Sequence, residues 1–182
     1  MDIEKIVFSG DSAGGHLTYS VTLLAMLRNF RVPDGIFSIY PCFTLDITSF
    51  FPSTMLATDD ELISSGFMKL CSACLSRNGC NTTASPLLSP LLAPDAMIKL
   101  MPKSHYCVNE IDALRDHGYD MLYIMLKQGR KAHLHHMNDF LHGWLNFDTN
   151  GYPVPEFLKG RQMCYDILRD LLSNDEDNQP VE

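Results

Sequence analysis

The chain has 182 residues, 46% hydrophobic and 20% charged, proportions that suit one globular domain. A formal charge of −8 and a pI near 5.2 speak against a nucleic-acid binder, which carries a basic patch. They also speak against attachment to anionic membrane through polybasic segments. No apolar run is long enough to span a bilayer.

The first predicted strand is about Lys5–Ser9, where Ile6-Val7-Phe8 is a β-branched and aromatic run suited to a buried parallel strand. It leads into Gly10-Asp11-Ser12-Ala13-Gly14-Gly15, which fits the G-x-S-x-G elbow that presents a nucleophilic serine on a sharp strand-to-helix turn. A bare glycine-rich turn could carry the same letters. The strand before it and the apolar helix after it, reaching about Asn29, favour the catalytic reading. Gly10 and Gly14 are expected to let the strand and helix backbones pass closely where a Cβ would clash. Val32-Pro33-Asp34-Gly35 is turn chemistry, and Ile36–Tyr40 reads as a second buried strand stopped by Pro41.

From Cys42 to about Pro102 strand and helix stop alternating. This stretch is expected to be an excursion over the sheet end, with a helix from Asp59 or Asp60 to about Ser76 and a loop-rich Ser85–Pro90. A third strand follows at Ser104–Val108. The helix Ala113–Gln128 carries Leu114, Met121, Leu122, Met125 and Leu126 at helical spacing. Lys131–Met137 is the fourth strand, Pro155–Leu172 a closing helix, and residues 174–182 an acidic tail expected to be disordered. The order predicts an α/β fold with a mainly parallel sheet.

A serine hydroxyl is a weak nucleophile until a histidine takes its proton, and that histidine needs a carboxylate to fix its tautomer. Two strand-end loops offer these groups. Asn109–Asp116 supplies Asp112, with Glu110 as a competing acid, and Asn138–Trp144 supplies His142. Asp116 and Asp120 fall within the helix and read as solvated face. His133 and His135 share one face of the fourth strand while His136 takes the other. With no Cys, Asp or Glu at a ligand spacing they read as ordinary strand histidines rather than a metal cluster. Cys71-Ser72-Ala73-Cys74 with Cys80 resembles half a zinc site without its second pair, so packing within an apolar helix is the better reading. His16, one turn into the first helix, is expected to cap or pack near the site. The six cysteines form no secreted framework and no signal peptide precedes the first strand, so reduced thiols in a cytosolic protein are expected. The sequon Asn81-Thr82-Thr83 would matter only in a secreted chain.

Taken together, Gly10–Gly15, Asp112-Ala113-Leu114-Arg115-Asp116 and His142-Gly143-Trp144 resemble the hormone-sensitive lipase family of α/β-hydrolases. Val32–Ile36, Tyr40-Pro41 and Ser89–Met97 are more similar to the branch that gives the family its name than to its bacterial esterases. Ala113 stands where the family usually has proline, and Trp144 where it has phenylalanine. The resemblance runs from about Lys5 to Leu172. It implies Ser12 as nucleophile, Asp112 as orienting acid and His142 as general base. The backbone N–H of Ala13 becomes an oxyanion donor, within an elbow of Gly10, Asp11, Gly14 and Gly15.

It also implies that residues 1–173 are the C-terminal portion of an incomplete α/β-hydrolase domain that starts in mid-domain. The early strands and a His-Gly-Gly-Gly oxyanion loop are expected upstream, and the family's long phosphorylatable insertion has no counterpart between Cys80 and Ser85. The implied activity is hydrolysis of acylglycerols or related lipid esters without metal or organic cofactor. The implied setting is cytoplasmic, at a lipid-droplet surface. The alternatives are a non-catalytic fragment that keeps the triad, or a short-chain esterase, thioesterase or peptidase on the same fold.

Overall fold

The computed structural model describes residues 4–49, 51–56, 62–76, 79–147 and 154–173. Its elements are β1 (Val7–Asp11), α1 (Ala13–Leu27), β2 (Gly35–Ile39), α2 (Pro52–Leu56), α3 (Ser65–Ser76), α4 (Asp95–Ile98), β3 (Lys103–Ile111), α5 (Arg115–Lys127), β4 (Ala132–Leu141) and α6 (Pro155–Leu172). Short 3₁₀ turns lie at Pro90–Leu92 and Trp144–Asn146. The four strands form one parallel sheet in the order β1-β2-β3-β4.

Alternation along the strands sends successive side chains to opposite faces, and each face has its own core. On one face Tyr19 and Leu23 of α1 and Met121 and Met125 of α5 pack with Ile36, Tyr106 and Ala132. Leu87, Leu91, Met97, Ile98 and Met101 close the gap between the two helices. Tyr19, Phe43 and Tyr106 meet edge-on or tilted, with centroids 4.8 to 6.1 Å apart, and the Tyr19 and Tyr106 hydroxyls are hydrogen-bonded to each other. On the other face Cys164, Ile167 and Leu171 of α6 cover Phe37, Ile39 and Cys107, beside Trp144 and Phe140. Among the described residues no helix is long and apolar enough to cross a membrane.

Several expectations need correction. β1 starts and ends two residues later than expected and is half-buried, because β2 is its single partner among the described residues, whereas β2 is buried throughout. β3 and β4 run on to Ile111 and Leu141. The polar Asn138-Asp139 looks like loop by composition, yet Ile111 still pairs with Leu141 beyond an irregularity in register. There Asp139 takes φ 62° and donates its N–H to the Glu110 carboxylate at 2.9 Å. The helix expected from Asp59 or Asp60 starts at Ser65, behind a bend in which Ser64 Oγ accepts the Phe67 N–H. Its expected first residues, and the tail 174–182, lie outside the described residues. α5 starts two residues late because Asp112 Oδ1 takes the Leu114 N–H in a turn. Its expected stripe divides: Met121 and Met125 are buried, Leu114 joins a separate cluster with Cys42 and Ile63, and Leu126 is exposed. Cys74 and Cys80 are exposed rather than packed.

Burial of neutral histidines is expected to make this fold acid-labile. His117 lies against Phe51, 3% exposed, and burial pushes it down to about 4. Burial also pushes His105 down to about 3. Both bind a proton more readily unfolded, near 6.5, so their contribution is fully present above that value and is lost as pH falls toward the folded values. His117 alone accounts for on the order of 3 kcal/mol across that window. Thermal midpoints recorded from pH 7.5 to 4.5 should fall steadily below pH 6.5, with a shallower slope in His117→Gln. A midpoint flat to pH 5 would contradict this.

Candidate active site

β1 delivers Ser12 to the C-terminal edge of the sheet on a backbone of φ 52° and ψ −117°, a left-handed conformation that side-chain-bearing residues rarely adopt. The turn is held from beneath, where the Ser12 N–H donates to the Ile39 carbonyl at 2.9 Å. A Cβ on Gly10 would stand 2.5 Å from the Gly14 carbonyl carbon, and one on Gly15 would stand 2.9 Å from Pro41 Cβ. Gly14 is otherwise than expected. A Cβ there meets nothing within 4 Å, so it is the Gly14 backbone, not its missing side chain, that makes glycine necessary at position 10.

Asp112 directly follows β3 and His142 directly follows β4, so two neighbouring strands bring both to Ser12. Ser12 Oγ is 2.9 Å from His142 Nε2, and His142 Nδ1 is 2.9 Å from Asp112 Oδ2. Asp112 is 4% exposed and His142 8%. The carboxylate is itself fixed, with Oδ1 accepting the Leu114 N–H at 2.8 Å and Oδ2 accepting the Asn109 amide at 3.2 Å. Glu110 points away and is occupied by the Asp139 N–H. Asp116 is not solvated face: it accepts the Ser53 N–H at 2.8 Å and pairs with Arg115. Asp120 is exposed, as expected. Ala13 opens α1, where the first helical N–H groups have no intrahelical acceptor.

Two residues of the site were missed. Asn109 is buried and donates to both Asp112 and the Leu141 carbonyl, tying together the strand ends that carry the acid and the histidine. A polar residue closing a buried strand was the available signal. Tyr40 is 1% exposed, has φ 36°, donates its hydroxyl to Asp11 at 3.1 Å and sets its ring 4.8 Å from His142. Nothing local in sequence marks it. Trp144 is fully buried, edge-on to Phe140 at 4.9 Å.

Beside Ser12 lies a cavity of about 580 Å³, apolar except for Ser12, His16 and His142. Leu17 and Leu87 form one wall, and Phe67, Met68 and Leu75 of α3 another. His16 is spoken for: Nδ1 lies 2.6 Å from the Cys42 carbonyl and Nε2 3.2 Å from that of Leu87. Burial lowers its pKa. It therefore braces the cavity wall and does not reach Ser12. A serine next to an imidazole backed by a carboxylate can carry acyl transfer.

A family model described as alpha/beta hydrolase fold matches residues 1–146. The hormone-sensitive lipases of Bos taurus and Mus musculus are 41% and 43% identical to the chain over 68 residues, which is 37% of this chain and 9% of theirs. Among solved structures, carboxyl esterase 2 from the fungus Tuber melanosporum superposes with a TM-score of 0.80 at 23% identity, covering 92% of this chain and 54% of that one. The esterase rPPE superposes with a TM-score of 0.82 at 18% identity, covering 93% and 52%. At such identities the likeness is one of fold, and the chain spans about half the length of these solved relatives.

Proposed function

The chain belongs to the alpha/beta-hydrolase fold family, and within that family we propose that it is a serine carboxylic-ester hydrolase acting on lipid esters through Ser12, His142 and Asp112. The observation that carries the reading is the unbroken relay of two 2.9 Å hydrogen bonds from Ser12 to Asp112, opening onto an apolar cavity.

His142 Nε2 takes the Ser12 proton as Oγ attacks the ester carbonyl carbon. The oxyanion that forms is stabilised by the Ala13 N–H at the start of α1. Collapse expels the alcohol, which leaves with the proton from His142. Water then attacks the acyl-enzyme, giving its proton to His142, and the carboxylic acid leaves as Ser12 recovers its own. Asp112 holds the Nδ1–H tautomer and stabilises the imidazolium. No metal or organic cofactor enters this chemistry. The family likeness to hormone-sensitive lipases supports acylglycerols or related lipid esters as substrates, and a cytoplasmic setting at lipid droplets.

The cavity supports an acyl chain of several methylenes against the alternative of a short-chain esterase. Each methylene buried contributes about 0.8 kcal/mol, or roughly fourfold in kcat/KM if the contact is made in the transition state. Across nitrophenyl esters from acetate to octanoate, kcat/KM should climb by about that factor per methylene until the cavity is filled. A preference for acetate would overturn the lipid-ester reading while leaving ester hydrolysis intact.

A further inference from the structure

One side chain reaches both ends of the relay. β2 lies between β1 and β3, so Tyr40, the residue after it, stands between the strand end that carries Ser12 and the one that carries Asp112. Its backbone is pinned there. The Tyr40 N–H donates to the Cys107 carbonyl at 2.7 Å, and the preceding Ile39 carbonyl accepts the Ser12 N–H. At φ 36° Tyr40 holds a left-handed conformation that an aromatic residue rarely adopts, and such strain persists where the surroundings over-determine it.

The phenol is held by two partners. Its hydroxyl donates to Asp11 Oδ2 at 3.1 Å and accepts the Leu145 N–H. Asp11 directly precedes the serine, and Leu145 lies in the 3₁₀ turn that follows His142. Burial, with the Asp11 charge beside it, pushes the phenol well above its ordinary value, so it stays a donor across the neutral range. The ring centroid is 4.8 Å from that of His142, with 59° between the planes, and 6.5 Å from that of Trp144. Asp112 and Ser12 hold His142 at its two nitrogens, through bonds that lie in the imidazole plane. Those bonds fix the ring along the line through the nitrogens and resist rocking about that line only weakly. A ring packed beside the imidazole opposes the rocking.

We propose that Tyr40 is a positioning residue of this site, its hydroxyl tying the strand end that carries Ser12 to the turn after His142 while its ring holds the imidazole in line with Ser12 Oγ. Tyr40 acts through Asp11 and His142 and not on the ester, for it does not line the Ser12 cavity. An aromatic ring also attracts a cation within about 6 Å of its centroid, so the imidazolium that forms as Ser12 attacks is better stabilised beside tyrosine than beside an aliphatic residue. Misplacing a reacting group by about 1 Å costs on the order of a hundredfold in rate, which sets the scale of the effect. The rate effect rests on the ester-hydrolase reading above, whereas the ordering of His142 does not.

The test uses the full chain as Tyr40→Phe, which keeps the ring and loses the hydroxyl, and as Tyr40→Leu, which loses both. With histidine labelled by nitrogen-15, the Nδ1–H of His142 is identified by its absence in His142→Ala. Its exchange with solvent should be about threefold faster in Tyr40→Phe and about tenfold or more faster in Tyr40→Leu. On the best nitrophenyl ester kcat should fall about tenfold and about a hundredfold respectively, with KM changed by less than about twofold. In Asp11→Ala the hydroxyl has lost its acceptor, so adding Tyr40→Phe to that variant should lower kcat by less than about threefold more. Rates are normalised to the folded fraction, and should Tyr40→Leu fail to fold, Tyr40→Phe decides alone. Unchanged Nδ1–H exchange in the folded variants, or a loss confined to KM, would overturn the role of Tyr40. Faster exchange in variants of a chain whose Ser12 hydrolyses no ester would uphold the ordering of His142 and sink the ester-hydrolase reading instead.

Discussion

His142→Ala should lower ester turnover by about a millionfold while leaving the fold intact. In the proposed mechanism Ser12 and His142 act as one unit, since the imidazole at 2.9 Å is the group placed to take the Oγ proton. In serine hydrolases of this logic, loss of the base costs about as much as loss of the whole triad. His16, the other imidazole lining the cavity, is committed to the Cys42 and Leu87 carbonyls and will not substitute. The measurement is kcat on the best nitrophenyl ester, with far-UV dichroism and thermal midpoint as controls for folding. A loss of only tenfold with the fold preserved would mean that another base serves Ser12.

The second large effect is expected at the acid. Asp112→Asn preserves shape, but its amide can donate toward His142 Nδ1 and so select the tautomer that puts the proton on Nε2, where a lone pair is needed. A loss of about ten-thousandfold in kcat with little change in KM is predicted. Glu110→Gln should cost little, because its carboxylate serves the Asp139 N–H at the rim of the sheet. Reversal of these two effects would reassign the acid.

Legibility in the sequence followed the range of the interaction. The elbow could be read because strand, serine turn and helix are contiguous, and the steric need at Gly10 arises within five residues. Asp112 and His142 could be located because a parallel sheet gathers its strand ends at one edge. The choice between Asp112 and Glu110 could not be made from residue types alone, since two carboxylates two positions apart differ only in direction. Asn109 and Tyr40 escaped for a related reason: their work is done on Leu141, Asp11 and His142, which lie far away in the chain. Spacing within one segment is likewise blind to His105 beside His133, a pairing that exists only through strand register. The ends of β3 and β4 ran past their apolar cores because backbone pairing continues through polar residues once a neighbouring strand is in place.

The central claim is that Ser12 is a nucleophile activated by its neighbours, and a fluorophosphonate probe tests it most directly. The probe reacts with an activated serine in a single covalent event and does not depend on choosing the right ester. Peptide mapping of the labelled protein should place one phosphonyl group on Ser12, with labelling abolished in Ser12→Ala and slowed by orders of magnitude in His142→Ala. Labelling that persists in Ser12→Ala, or a folded protein that takes no label at Ser12 at any probe concentration, would contradict it.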